Sequence, residues 1–272
     1  DNVRRANGWS IHLSSDCLSP TFQRTISDRL IEDPMSAALA DRMQYDFAAQ
    51  FGKPTVFHPI RARVCDDLIH DWYQRSASSR PVVVALGEGL ETQFWRVASS
   101  RIRWISVDLP EAIALRKQWL PAHEWMETVE VSALDFAWMD TIPSDARPLI
   151  SASGLLMYFQ PDEVKQLLTE IAARWPGAEL FFDTISPWFA RKTIRGWKVT
   201  SNYSVPPMPW GICVDDLPDL IRAIPNLKPV RIQHYGQPFP RRTRLYNWLG
   251  RIGPVRRRFA GSLVHARVRA TS

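Results

Sequence analysis

Arg80-Pro-Val-Val-Val-Ala-Leu-Gly-Glu-Gly-Leu-Glu-Thr-Gln-Phe-Trp-Arg96, followed closely by Ile102-Arg-Trp-Ile-Ser-Val-Asp-Leu-Pro110, decides the fold. Val82 to Leu86 is an unbroken apolar run between Pro81 and Gly87. A run that short and that rich in β-branched residues predicts a strand buried on both faces, as in a parallel sheet. Gly87 and Gly89 allow a sharp turn and a close approach of backbone N–H groups to a ligand. A second apolar strand, Trp104 to Val107, ends at Asp108, nineteen residues beyond Gly89. In doubly wound α/β folds an acidic side chain at that place hydrogen-bonds ribose hydroxyls. Together the two halves describe a nucleoside pocket.

The third glycine of a dinucleotide fingerprint is missing, since Thr92 stands in its place. Leu86-Gly-Glu-Gly-Leu-Glu-Thr-Gln-Phe-Trp-Arg96 and Val107-Asp-Leu-Pro-Glu-Ala-Ile-Ala-Leu-Arg116 instead resemble the first two motifs of the leucine carboxyl methyltransferase superfamily. Within it they are most similar to the tetracenomycin-type polyketide O-methyltransferases. The resemblance runs from about Pro20 to the last strand. It implies a Rossmann-like, doubly wound class I methyltransferase sheet of seven strands, with an N-terminal helical cap and a lid insertion. It also implies S-adenosylmethionine as cofactor.

Outward from that centre, strand and helix alternate, as a parallel sheet with helices on both sides requires. Further strands are predicted at Thr128–Val131, Pro148–Gly154, Ala178–Asp183, Pro229–Tyr235 and Ser262–Val268. Upstream, a helix is predicted from Ser19 to Leu30. Asp33-Pro34 opens another, with Met35, Leu39, Met43 and Phe47 as its stripe through about Ala49. A third begins at His58-Pro59 and carries Ile60, Val64, Leu68 and Trp72. The reading is one domain over 1–272: arm and helical cap 1–79, cofactor core 80–183, lid 184–227, and terminal strands with a helical insertion 228–272.

The resemblance assigns site residues. Arg63, in Ala-Arg-Val, matches an arginine that clamps the methionine carboxylate, a role suited to a guanidinium fork. Cofactor contacts are expected from Gly87, Glu88, Gly89, Asp108, Leu109, Leu134, Asp135, Phe136 and Ser153. Asp135 is the right type to accept the adenine amine, and Phe136 to cover the ring. Three positions depart from the family pattern: Gln93 replaces an arginine, Ser153 a glutamate, and Glu88 a small residue. Tyr158, after the fourth strand, is the candidate active-site residue beside the acceptor. The aromatic segment Thr184–Trp210 is expected to cover that acceptor with Trp188, Trp197, Tyr203 and Trp210.

Methyl transfer from a sulfonium asks the protein mainly to align a nucleophile and exclude water. A carboxylate acceptor needs no general base, whereas a phenol or alcohol can use one. No catalytic triad and no metal-ligand spacing appears. Cys17, Cys65 and Cys213 are too scattered for a disulfide framework or a metal knuckle. Cys65 is expected to be a small buried hydrophobe. No run of eighteen apolar residues indicates a membrane span, no apolar signal-peptide core is present, and a cytoplasmic setting is the expectation.

The net charge of +6 comes largely from arginines between Arg241 and Arg258. A solvated basic face accounts for them better than a nucleic-acid partner. The expected partner is therefore a small-molecule acceptor, an aromatic, polyketide-like or carboxylic acid compound. Two other readings remain open on the residues alone: a nicotinamide-dependent oxidoreductase using the same crevice, and a cofactor-binding scaffold without turnover.

Overall fold

The computed structural model describes residues 30–46, 49, 55–76, 78–97, 101–201 and 203–270. Residues 19–29 of the first expected helix, Phe47 and Cys17 lie outside them. In chain order the regular elements are α1 (Pro34–Met43), α2 (Phe57–Arg75), β1 (Val82–Leu86), α3 (Gln93–Val97), β2 (Arg103–Asp108), α4 (Pro110–Trp119) and β3 (Met126–Glu130). They continue as β4 (Leu149–Ala152), α5 (Pro161–Arg174), β5 (Glu179–Thr184), α6 (Pro187–Ile194) and α7 (Leu217–Arg222). The chain closes with β6 (Leu227–His234), α8 (Arg244–Leu249), α9 (Gly253–Phe259) and β7 (Ser262–Val268).

The seven strands form one sheet in the order β3-β2-β1-β4-β5-β7-β6. The first five are parallel, and β7 runs antiparallel between β5 and β6. The order reverses between β1 and β4, the place where such sheets open a crevice at the carboxyl ends of their strands.

Alternation along β1 explains the layers. Val82, Val84 and Leu86 face one side, where Val164, Leu167, Leu168 and Ile171 of α5 complete the core. Val83 and Ala85 face the other, against Ile60, Cys65, Ile69 and Trp72 of α2. Each face thus buries its apolar side chains against a helix stripe, a three-layer arrangement. The helix over Pro161–Arg174 starts with a capping box, in which Glu163 accepts the Gln160 N–H at 2.7 Å.

Two upstream expectations change. α1 stops at Met43 rather than near Ala49, because Gln44 takes a left-handed conformation (φ 46°) that breaks the helix. α2, expected in the helical cap, also packs Ile60, Cys65, Ile69 and Trp72 flat against the sheet as a layer helix, and Arg61 in its second turn reaches Asp183 at the end of β5.

Cys65 is fully buried among these side chains, and burial, with the Asp66 carboxylate beside it, pushes its thiol to about 12. It is inert packing. Among the described residues no helix is long and apolar enough to cross a membrane.

Candidate active site

A cavity of about 390 Å³ opens at the carboxyl ends of β2, β1 and β4, within the range of small-ligand sites. Its walls follow the strand order. Ser132, Ala133 and Leu134 come from the loop after β3, and Asp108 and Leu109 from the end of β2. Gly87 ends β1, while Gly154, Leu155, Tyr158 and Phe159 follow β4.

The glycine turn is built for close approach. Gly87 (φ 61°) and Gly89 (φ 49°) are both left-handed, a conformation that costs other residues about 1–2 kcal/mol. A Cβ on Gly87 would lie 2.6 Å from Leu155 Cδ1. Gly89 N–H donates to Asp108 Oδ2 at 2.8 Å, and Leu109 N–H donates to Oδ1 at 2.8 Å. The acid that the spacing singled out therefore also locks the turn. Burial pushes the Asp108 carboxyl above its ordinary range, against the pull of those two N–H donors. A carboxylate offers about four lone-pair sites, so both oxygens retain acceptor capacity toward the cavity.

Glu88 does not line this cavity. Its side chain is buried beneath the turn, where it accepts from Trp104 Nε1 at 3.1 Å and pairs with Arg116 at 3.1 Å. Arg116 itself was not anticipated as a site residue. From α4 it donates to the carbonyls of Gly89 (2.7 Å) and Glu91 (2.8 Å), tying down the glycine loop from below. The only trace in the sequence is an arginine at the end of the second motif, which reads equally well as a solvated helix charge.

Neither Arg63 nor Arg61 lines the cavity, but Arg61 is the one that packs against Gly154 in its wall. Arg63 is half-exposed, pairs with Asp67 at 2.8 Å and donates to the Leu30 carbonyl. Arg61, two residues earlier, falls on the opposite side of the helix. Its guanidinium lies so close to Gly154 that a Cβ there would sit 2.9 Å from Nη1. Asp183 at the end of β5 holds it at 3.2 Å, and the same carboxylate accepts from Tyr235 Oη (2.7 Å) and Gly154 N–H (2.6 Å). A two-residue shift reverses helical phase, so the two arginines leave the helix on opposite sides.

Ser153 follows β4 without lining the cavity, and its buried Oγ lies against the Cys65 thiol. Asp135 is exposed and caps a turn of 3-10 helix by accepting from Ala137 N–H at 3.2 Å. Phe136 packs partly against the core beside Leu134. Neither borders the cavity, although Leu134 does.

The four expected acceptor aromatics separate. Trp210 is buried in the core against Phe182, and its N–H donates to the Met157 carbonyl at 3.2 Å. That bond ties the returning end of the Thr184–Trp210 segment to the turn carrying Tyr158. Trp188 and Trp197 surround a different pocket, on α6 and the turn after it. The Tyr203 carbonyl accepts from Val199 N–H at 3.0 Å within a short hairpin.

Comparison with known proteins places this geometry. Residues 20–172 match the model of the leucine carboxyl methyltransferase family, more than half of the chain. The chain belongs to the leucine carboxyl methyltransferase family. The cofactor of that family is S-adenosylmethionine, which replaces the nicotinamide reading of the crevice.

The tetracenomycin polyketide synthesis O-methyltransferase TcmP of Streptomyces glaucescens is 28% identical over 167 residues. That match spans 60% of this chain and 60% of the length of TcmP. Among solved structures, a protein of Thermobifida fusca YX named as a methyltransferase superposes with a TM-score of 0.58 at 15% identity, covering 88% of this chain and 90% of that one. The N-methyltransferase NodS from Bradyrhizobium japonicum WM9, in complex with S-adenosylhomocysteine, gives 0.50 at 14% identity over 87% and 99% of the two chains. At such identities these structures support the fold alone.

Proposed function

We propose that the chain is an S-adenosylmethionine-dependent O-methyltransferase whose acceptor, a small aromatic, polyketide-like or carboxylic acid compound, binds beside Tyr158. The observation that carries this reading is the cavity itself. It joins a ribose-type carboxylate, Asp108, to a tyrosine on the β4 side, with a guanidinium behind Gly154. The named activity of TcmP supports oxygen as the attacked atom.

The residues fit the cofactor. Ser132 to Leu134 would border the adenine beside β3, and Asp108 offers acceptors for ribose hydroxyls. Arg61 offers a fork for the amino-acid carboxylate. When bound, S-adenosylmethionine supplies an electrophilic methyl group with an activated leaving group. The chain's share of the work is alignment and exclusion of water. Tyr158 would orient the acceptor oxygen by hydrogen bonding, and Leu155 and Phe159 would wall the cavity with apolar surface.

Turnover against a panel of phenols and aromatic carboxylic acids, read as methylated product by mass spectrometry, tests the reading. Product on oxygen supports it. Binding of S-adenosylhomocysteine with no turnover on any acceptor would favour the scaffold instead. Tyr158→Phe should lower kcat about 5- to 10-fold with cofactor affinity unchanged, the scale of one hydrogen bond of about 1 kcal/mol. Equal kcat in the variant would remove Tyr158 from the acceptor site.

Arg61→Lys should bind S-adenosylhomocysteine about tenfold more weakly, because an ammonium cannot reproduce the bidentate fork. Arg63→Lys should bind it normally. The reverse pattern in calorimetry would restore Arg63 as the clamp.

A further inference from the structure

A second concavity, of about 550 Å³, lies on the segment after β5 and shares no lining residue with the cofactor cavity. We propose that it binds a small oxyanion-bearing ligand, a phosphorylated or pyrophosphorylated compound, at a site separate from methyl transfer. Five cations line it: Arg191, Lys192, Arg195 and Lys198 from α6 and the turn after it, and Arg258 from α9. No carboxylate lines it. Among the described residues, none of the five is paired with an acid.

The rest of the same helix shows that this is not an unselective basic face. Arg256 pairs with Asp215 at 3.0 Å, and Arg257 pairs with Asp216 at 3.1 Å. Those two arginines of α9 have carboxylate partners, while Arg258 faces the pocket. A concave site lined by one sign of charge concentrates counter-ions. Here that charge is matched by nothing in the described protein.

One of the cations, Lys192, is also held in place before a ligand arrives. The Lys192 ammonium lies 3.7 Å from the Trp197 ring centroid and 5.2 Å from that of Trp188, a cation–π arrangement. Those rings are fixed in turn, Trp197 edge-on to Phe189 at 5.1 Å and Trp188 edge-on to Phe259 at 5.2 Å. Gly196 (φ 82°) ends α6 in a left-handed turn with open space where a side chain would be. The turn brings Trp197 and Lys198 back over the helix, and Val205 N–H fastens the return to the Trp197 carbonyl at 2.9 Å.

The chemistry selects the ligand class. Guanidinium forks match the tetrahedral oxygens of phosphate and engage them bidentately. The volume suits a small molecule. A single-stranded nucleic acid would need a row of aromatic faces open for stacking, whereas here both tryptophans are engaged by Lys192, Phe189 and Phe259.

The probe is inorganic pyrophosphate, followed by calorimetry and tryptophan fluorescence at ionic strength held constant with chloride. The expected result is saturable one-to-one binding. Both Arg195→Gln/Lys198→Gln and Arg258→Gln should weaken it about tenfold or more. Affinity for S-adenosylhomocysteine should stay unchanged, which separates failure here from failure of the methyltransferase reading. Using variants on two different elements, each checked for an unchanged unfolding transition, guards against a folding defect. Non-saturable binding, or equal binding in both variants, would overturn the proposal. So would tighter binding of a single-stranded oligonucleotide that strengthens with its length.

Discussion

Asp108→Ala should weaken binding of S-adenosylhomocysteine by about 1.5–3 kcal/mol, about 10- to 150-fold, the scale of lost hydrogen bonds to a charged acceptor. Two losses combine. The variant removes the acceptors offered to the ribose. It also releases Gly89 N–H, which donates to Oδ2 at 2.8 Å and fixes the turn on which a ligand would rest. Asp108→Asn separates the two, because an amide oxygen can still accept one N–H while its nitrogen cannot accept a hydroxyl proton. The asparagine variant should keep more of the fold's stability than alanine and still bind poorly. Calorimetry with S-adenosylhomocysteine, alongside circular dichroism, measures both. Unchanged affinity in Asp108→Ala would place the cofactor elsewhere.

The parts of this molecule that were legible in sequence are those that local pattern alone determines. β1 was readable to the residue because Pro81 and Gly87 bound its apolar run, and β7 because its flanks are equally abrupt. The glycine turn and Asp108 were readable because a backbone that must turn sharply tolerates few residue types. What failed to show was side-chain direction. Arg61 and Arg63 differ by two positions on one helix, so they point to opposite sides, and composition carries no phase. Glu88 between the glycines suggested contact with a ligand. Burial of its carboxylate against Arg116 and Trp104 depends on a helix 28 residues further along the chain. Trp210 similarly reads as a lid aromatic until tertiary packing places it against Phe182.

Gln93 illustrates the same limit and leads to the second large effect. The family arginine missing at that position suggests a lost positive charge beside the cofactor turn. The structure has one three residues later: Arg96, nearly buried, donates to Asp66 at 2.8 Å and Glu91 at 2.6 Å and also pairs with Asp33. Gln93 joins the network by donating to Asp66 at 2.7 Å. Asp33 opens α1, Asp66 belongs to α2, and Glu91 follows the glycine turn, so one guanidinium ties three segments together.

Removing it leaves three carboxylates in a poorly solvated site. Arg96→Leu should therefore cost about 3–5 kcal/mol of folding stability, as expected for a buried ion pair broken from one side. The loss should depend on pH in a defined direction. Burial already holds the Asp66 carboxyl above its ordinary value, although Arg96 and Gln93 pull it down. Without Arg96 it rises further, so the native state binds protons more readily than the unfolded chain. Stability from such a group is present below the unfolded pKa and is lost as pH rises through the folded one. The variant should accordingly fall furthest behind the parent near about pH 8 and recover toward about pH 5. Urea unfolding at both values measures this. A deficit that stays below about 1 kcal/mol, the scale of an exposed pair, or that grows on acidification would show that Arg96 is not the counter-charge holding the three segments together.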